Sequence, residues 1–305
     1  MTKLLISRGF QAIFTLWLVS MVVFGSVHLS GDPAMAMTPQ GASAEDIAVM
    51  KKKWGLDQPL PVQYGRWLAG VLQGDLGTGI RHNLPVWELI QPRLVNSIKL
   101  GAVSMLFAIA VAVPLATVAA LNRGTIWDRS AMAFGLAGQA LPTFWVGLLL
   151  VMFISVRLRL LPVAGSGTWQ HYVLPAFTMS LYMSAGIMRL LRSALLEVLD
   201  SEFVKLARAK GVSEFWVIWK HAMRNALIPV VTFSGFMLGT AIASAISIET
   251  VFVYPGIGLL TFEALHDRDF PLIQAIVMIS SSIMILLNFL VDVAYGLLDP
   301  RIRNQ

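Results

Sequence analysis

The sequence predicts an all-α membrane protein with six transmembrane helices, and three observations carry that prediction. Hydrophobic residues make up 56% of the 305 and charged residues only 13%, against roughly 25% charged in soluble domains; the mean hydropathy is +0.71. Six long stretches lack Asp, Glu, Lys and Arg. They hold 23 residues between Arg8 and Asp32, 23 between Lys99 and Arg123, 27 between Arg129 and Arg157, 17 between His171 and Arg189, 24 between Arg224 and Glu249, and 22 between Asp269 and Asp292. A helix needs roughly 20 apolar residues to cross the hydrocarbon layer. The third observation is where the cations fall. With spans at about 10–29, 101–121, 131–156, 172–188, 228–248 and 271–291, one side collects 13 Lys and Arg, while the short loops of the other hold only Arg157, Arg159 and Arg268. Positive charge marks the cytoplasmic side, so both ends are expected inside, N-in and C-in. The same rule accounts for the net charge of +6 without nucleic acid; the partner implied is a lipid bilayer.

The elements follow in order. Lys3 and Arg8 precede the first span, and Ala34-Met35-Ala36 resembles a signal-cleavage site. A signal h-region is usually about 7–15 residues and this one is longer, so an uncleaved span is expected. The outside segment 30–100 should carry short helices. Ser43 and Asp46 have capping-box spacing, with Gly55 as the stop. Pro61 can start a second helix, with Tyr64, Trp67, Leu68, Val71 and Leu72 on one face, and 84–94 suggests a third. Pro114, Pro142 and Pro175 fall inside spans and should kink them. Ala108, Ala112, Ala116 and Ala120, and then Gly235, Gly239 and Ala243, form small-residue stripes that let helices approach. Such stripes suit either packing within the chain or a gate against a second membrane subunit.

Several chemistries are missing. No G-x-x-x-x-G-K-[ST], H-E-x-x-H or G-x-S-x-G occurs, which leaves no ordinary nucleotide loop, zinc helix or nucleophile elbow. There is no cysteine, and the five histidines are scattered without an i,i+4 pair. Ion-coupled carriers keep acids or bases inside their spans. Here Asp292 lies near the inner end of the last span and Glu249 at the outer end of the fifth, where water or a partner should stabilise it. A secondary carrier and an intramembrane enzyme are both disfavoured. A transport protein of this composition must borrow its energy source.

The segment 189–228 is where borrowing would happen. It interleaves seven cations (Arg189, Arg192, Lys205, Arg208, Lys210, Lys220, Arg224) with Glu197, Asp200, Glu202 and Glu214. Gly211 sits mid-segment and Pro229 at the next span. The pattern predicts helix–turn–helix, with Phe203, Leu206 and Ala207 on one face of the first helix and Phe215, Ile218 and Trp219 after the turn. A short helix with an apolar face and a charged rim suits a partner's groove. Gly211 should take a positive φ, and Arg208 is the better placed of the flanking donors, its planar fork making paired hydrogen bonds.

The run Glu202-Phe203-Val204-Lys205-Leu206-Ala207-Arg208-Ala209-Lys210-Gly211-Val212-Ser213-Glu214, followed by His221-Ala222-Met223-Arg224-Asn225-Ala226-Leu227-Ile228-Pro229, resembles the cytoplasmic "EAA" loop of ABC importer permeases in the form used by the dipeptide/oligopeptide/nickel group. Gly211 matches the family glycine and Ala207 one of its alanines; Lys205 and Leu206 replace the Glu and the first Ala. The resemblance extends to Gly55-Leu56-Asp57-Gln58-Pro59-Leu60, Gly74-Asp75-Leu76-Gly77, Leu141-Pro142-Thr143-Phe144-Trp145-Val146-Gly147, Glu249-Thr250-Val251-Phe252 with Pro255-Gly256-Ile257-Gly258, Arg268-Asp269-Phe270-Pro271 and the ending Asp299-Pro300-Arg301-Ile302-Arg303. It points to the B-type permease of the group.

That resemblance implies the type I ABC importer permease (MetI-like) fold, one transmembrane permease domain over 1–305, in the bacterial cytoplasmic (inner) membrane. It implies a homologous C-type permease subunit, two cytoplasmic ABC ATPase subunits and an external solute-binding protein. No cofactor belongs to this chain, ATP and Mg being held by the ATPases. The coupling-loop residues would be Ala207, Arg208, Ala209, Lys210, Gly211, Glu214, His221, Arg224 and Asn225. Candidates for the translocation path or gate are Gln139, Pro142, Thr143, Ser180, Ser184, Gly235, Gly239 and Glu249. Di- or oligopeptides are the first expectation for the substrate, with nickel chelate, glutathione or an opine as alternatives.

Overall fold

The computed structural model describes residues 2–29, 34, 35, 38, 43–243 and 245–298. The ending 299–303, Ala36 of the cleavage-like triplet and the side chains of Lys3 and Asp292 lie outside the described residues. Almost every described residue outside the turns is helical. Long helices are α1 (Thr2–Leu29), α4 (Val86–Leu121), α7 (Gln170–Leu199), α10 (Met223–Ala243) and α13 (Phe270–Leu298). Among the described residues five stretches are long and apolar enough to cross a membrane, and the pair α5 (Ile126–Ala140) and α6 (Thr143–Leu150, continued by a π-helical turn Val151–Arg157) makes a sixth when counted as one broken span.

That sixth span differs from expectation. The apolar run 131–156 does not form one helix: its halves meet at 99°. Pro142 has no N–H to donate and holds Leu141 in an extended conformation (φ −80°, ψ 131°). Pro114 and Pro175, expected to kink their spans, lie inside continuous helices. The third outside helix, expected over 84–94, is instead the first turns of α4, which runs 36 residues from its N-cap at Pro85. Arg93 and Lys99 interrupt the apolar pattern there without interrupting the helix. The fifth span, expected over 228–248, ends at Ala243 and is followed by a separate short helix, α11 (Ile246–Val251).

The other outside helices form as their caps dictate. Ser43 accepts from the Asp46 N–H while its own N–H donates to the Asp46 carboxylate (3.0 Å), holding that carboxyl below the ordinary carboxylate range. Gly55 closes α2 (Ala44–Trp54) at φ +67°, and α3 (Leu60–Leu72) starts with Pro61 in its first turn. Tyr64 meets Phe24 of α1 edge-on and Trp67 packs tilted against the same ring, and the Tyr64 hydroxyl is 2.8 Å from Ser20 Oγ.

The core lies where α4 packs along α7, with α5 and α10 also against α7. Ala108, Ala112 and Ala116 are fully buried among Met183, Ile187 and Leu191, so the first alanine stripe packs within the chain. Ile6, Phe10, Ile13, Phe14 and Trp17 of α1 are exposed, which suits a helix bathed in lipid tails.

Candidate functional site

The segment after α7 is a compact hairpin. The helix does not stop at the end of the predicted fourth span: α7 continues to Leu199, carrying Arg189 and Arg192 into the packed bundle rather than into a solvated loop. Ser201 then starts α8 (Glu202–Ala209), and α9 (Glu214–Trp216) runs through a π-helical segment, Val217–Ala222, into α10. The turn between α8 and α9 has Gly211 at φ +78°. Its N–H donates to Arg208 O (2.9 Å), and the Val212 N–H donates to Ala207 O (3.2 Å). These paired bonds are the Schellman arrangement, in which glycine reverses the chain at no steric cost. Val204, Ala207 and Val217 are buried together, with Val212, Val198 and Leu199 packed against them.

The hairpin's outer face is apolar and open: Phe203, Leu206, Phe215, Trp216 and Trp219 are all exposed. Ala207 does not share that face as the sequence suggested, because it belongs to the buried side with Val204. Arg208 is also placed differently from expectation. Its Nε donates to Glu214 Oε1 at 2.7 Å, so the fork bridges the turn within the hairpin. Lys205 donates to Glu202 at 2.8 Å, which raises its ammonium pKa above the ordinary lysine value. Asn225 Nδ2 donates to His221 O. Ala209, Lys210 and Arg224 are on the exposed side of the segment.

Two arginines of α7 tie that helix to α5. Arg192 donates through Nε and Nη2 to both carboxylate oxygens of Asp128 (2.6 and 2.7 Å), and the Gly124 N–H donates to the same carboxylate at 2.9 Å. Asp128 is buried and its partner largely so. Removing one member of a buried pair leaves an uncompensated charge, at a cost of about 3–5 kcal/mol. Asp128→Ala should therefore lower the thermal stability of the purified protein by that order, and the double variant Asp128→Ala/Arg192→Met by clearly less. Equal losses in both would show that the pairing contributes nothing.

The candidate path residues separate into groups. Thr143, just beyond the Pro142 break, lines a cleft of about 450 Å³ with Met179, Tyr182, Phe236, Met237 and Thr240. Gln139 lies on the other side of the break and accepts from Arg189 Nη2 at 2.6 Å. Ser180 and Ser184 are buried, and their hydroxyls donate to Phe177 O and Leu181 O of their own helix. Gly235 and Gly239 face Val291 and Leu287 of α13, so these two glycines pack within the chain; the Ala243 side chain lies outside the described residues.

Glu249 is the largest departure from expectation. Placed by the sequence at a wet outer end, it is 0% exposed. Its carboxylate accepts from Ser97 Oγ of α4 (2.5 Å) and from the Gly258 and Leu259 N–H groups (2.6 and 3.2 Å) at the start of α12 (Ile257–Asp267). Backbone donors at a helix N-terminus form a natural anion seat. Ser97 Oγ also accepts from the Ile257 N–H (2.8 Å), and Asn96 Nδ2 donates to Pro255 O (2.9 Å). A Cβ at Gly256 would collide with the Glu249 carboxylate, and one at Gly258 with the backbone of Ile246. The glycines of Pro255-Gly256-Ile257-Gly258 thus let the chain close over the acid.

Sequence reasoning missed Ser97 and Asn96, which fall between Arg93 and Lys99 ahead of the expected second span, and the partners of the Arg268-Asp269-Phe270-Pro271 corner. Asp269 is buried and accepts from the Arg81 N–H (3.3 Å), while Arg81 forms an ion pair with Asp267. The loop after Gly74-Asp75-Leu76-Gly77 is thereby docked on the α12–α13 corner.

Comparison with known proteins gives the family and supports the fold. The family model described as "binding-protein-dependent transport system inner membrane component" matches residues 112–304, and the N-terminal model of the same system's membrane component matches residues 1–101. The glutathione transport system permease protein GsiC of Salmonella paratyphi A is 40% identical over 306 residues, covering 100% of both chains. The dipeptide transport system permease protein DppB of Escherichia coli K12 is 38% identical over 320 residues, covering 94% of each. Among solved structures, the MetNI methionine ABC transporter in inward facing conformations superposes with a TM-score of 0.60 at 16% identity, over 69% of this chain and 96% of that one. An amino acid ABC transporter with histidines gives a TM-score of 0.54 at 12% identity, over 68% and 93%. With the helical membrane fold and both family models in agreement, the chain belongs to the binding-protein-dependent transport system inner membrane components and is a permease subunit of an ABC importer, serving with an ATPase and a solute-binding protein.

Proposed function

We propose that this permease forms the path for short peptides, pairs with a homologous C-type permease, and is driven through the α8–α9 hairpin by two ATPase subunits. The observation that carries the coupling role is the hairpin's division into faces. Val204, Ala207 and Val217 anchor it to the chain, while Phe203, Leu206, Phe215, Trp216 and Trp219 stay open. An apolar helix face of this size on a charged rim fits a groove on a partner. ATP-driven closure of the two ATPases would draw the hairpins together and open the path outward, where the binding protein releases its solute; hydrolysis would restore the inward-facing state. This chain holds no nucleotide or magnesium in that cycle, the ATPases holding both.

Support for a peptide substrate comes from the two named relatives. One is a dipeptide permease and the other a permease for glutathione, itself a tripeptide. Proteoliposomes carrying this chain, the C-type permease and the ATPases, supplied with the binding protein, should take up labelled dipeptide only with internal ATP, with glutathione as competitor. Uptake of nickel chelate with no peptide uptake would overturn the substrate. Uptake by this chain alone under a proton gradient would overturn the ABC coupling.

A further inference from the structure

Two arginines stand three residues apart on α7, and among the described residues only one has an acid. Arg192 is neutralised by Asp128. Arg189 is half-buried, and its only hydrogen-bond partner among the described residues is the neutral amide of Gln139. Its Nε is buried with no acceptor among the described residues. Its stem lies against Gly135 of α5, where a Cβ would stand 3.6 Å from Arg189 Cγ. A turn earlier on α7, Gly186 brings Phe233 and the Gln139 amide together. A guanidinium is always charged and has five donors. In the interior of a bundle, a charge without a counter-ion marks a place where an anion is received.

The position fits the cleft already described. Gln139 and Thr143 flank the Leu141-Pro142 break, so the residue that orients Arg189 and the residue that lines the cleft move with the two halves of one broken span. Tyr182 lines the same cleft. It precedes Arg189 by seven residues, close to two full turns, so both lie on one face of α7 about 10 Å apart along the axis. An extended chain covers roughly 3.3–3.6 Å per residue. A peptide of three residues, roughly 10 Å when extended, therefore reaches from the Tyr182 level of the cleft to the guanidinium.

We propose that Arg189, oriented by Gln139, receives the C-terminal carboxylate of a short peptide as it leaves the cleft toward the cytoplasm. The guanidinium fork matches a carboxylate with two parallel hydrogen bonds, and the idle Nε is one of the two donors such a pairing needs. Gln139 Oε1 keeps Nη2 in place, so the fork is held ready without being neutralised. This assignment rests on the reading of the chain as a peptide permease.

The test uses the full importer in proteoliposomes with one saturating binding protein throughout. Uptake of a labelled tripeptide is compared with uptake of its C-terminal amide, in the wild type and in Arg189→Gln and Gln139→Glu. The second variant is nearly isosteric and gives the guanidinium an internal carboxylate that competes with the peptide. The wild type should favour the free carboxylate, and the preference ratio should fall at least tenfold in both variants; the binding protein's own preference cancels because it is common to all. An unchanged ratio in a variant that assembles would overturn the assignment. So would failure of both variants to co-purify with the ATPases, which would make the pair part of the scaffold. If wild-type importer moves no free peptide, the peptide reading itself falls. If it moves peptide and the variants do so with the same preference, only the role of Arg189 falls.

Discussion

Replacing Gly211 with valine is expected to leave the chain inserted in the membrane and to weaken its association with the ATPases about tenfold, with loss of substrate-stimulated ATP hydrolysis. The cause is local. Gly211 has φ +78° with nothing within 4 Å of a built Cβ, so the obstacle is backbone strain rather than a clash. A left-handed conformation costs an L-residue roughly 1–2 kcal/mol, and a β-branched one is a genuine outlier there. About 1.4 kcal/mol is a factor of ten in an equilibrium constant. The Arg208–Glu214 bridge does not offset this, because its side chains are 41% and 61% exposed and exposed pairs contribute about 0–1 kcal/mol. Gly211→Asn should retain most function, since asparagine tolerates this region. Co-purification with the ATPases and hydrolysis stimulated by loaded binding protein are the measurements. Normal assembly and normal stimulation in Gly211→Val would show that the hairpin is not the coupling element.

The second large effect concerns Glu249. Glu249→Leu removes the acceptor from Ser97 Oγ and from the Gly258 and Leu259 N–H groups at once. Each buried donor left unmatched costs about 1–3 kcal/mol, so a loss on the order of 3 kcal/mol or more is expected. It should be read as a lowered melting temperature in detergent and reduced amounts in the membrane. Glu249→Gln keeps one acceptor oxygen and should lose much less. The turn it holds is not relaxed, because Val253 has φ +45°, a value that β-branched residues adopt only when the surroundings enforce it. If Glu249→Leu melted with the wild type, the carboxylate would not be what fastens the α11–α12 hairpin to α4.

How much of this was legible in the sequence varies with the range of the interaction. The span count, the capping box at Ser43, the glycine stops at Gly55 and Gly211, and the helix–turn–helix of the cytoplasmic segment all follow from apolar length or from backbone preferences within a few residues. Those are local energies, and a single chain segment contains all their terms. Pro142 shows the limit. Its break was legible as a kink, but the 99° angle depends on what each half packs against, and Pro114 carries the same local signal inside a continuous helix.

What the sequence alone determined is the membrane class, the apolar segments long enough to cross, and the helix–turn–helix that follows the fourth of them. What only the tertiary structure decided is which polar groups meet across distant segments. Glu249 looked wet because an acid at a span end ordinarily is; Ser97, 152 positions away, and a glycine-lined helix start make it dry. Arg189 and Arg192 looked alike in a run of cations, yet one finds Asp128, 64 positions away, and the other only an amide. A charge's partner is fixed by where packing brings another helix, and side-chain periodicity along one helix contains no term for that.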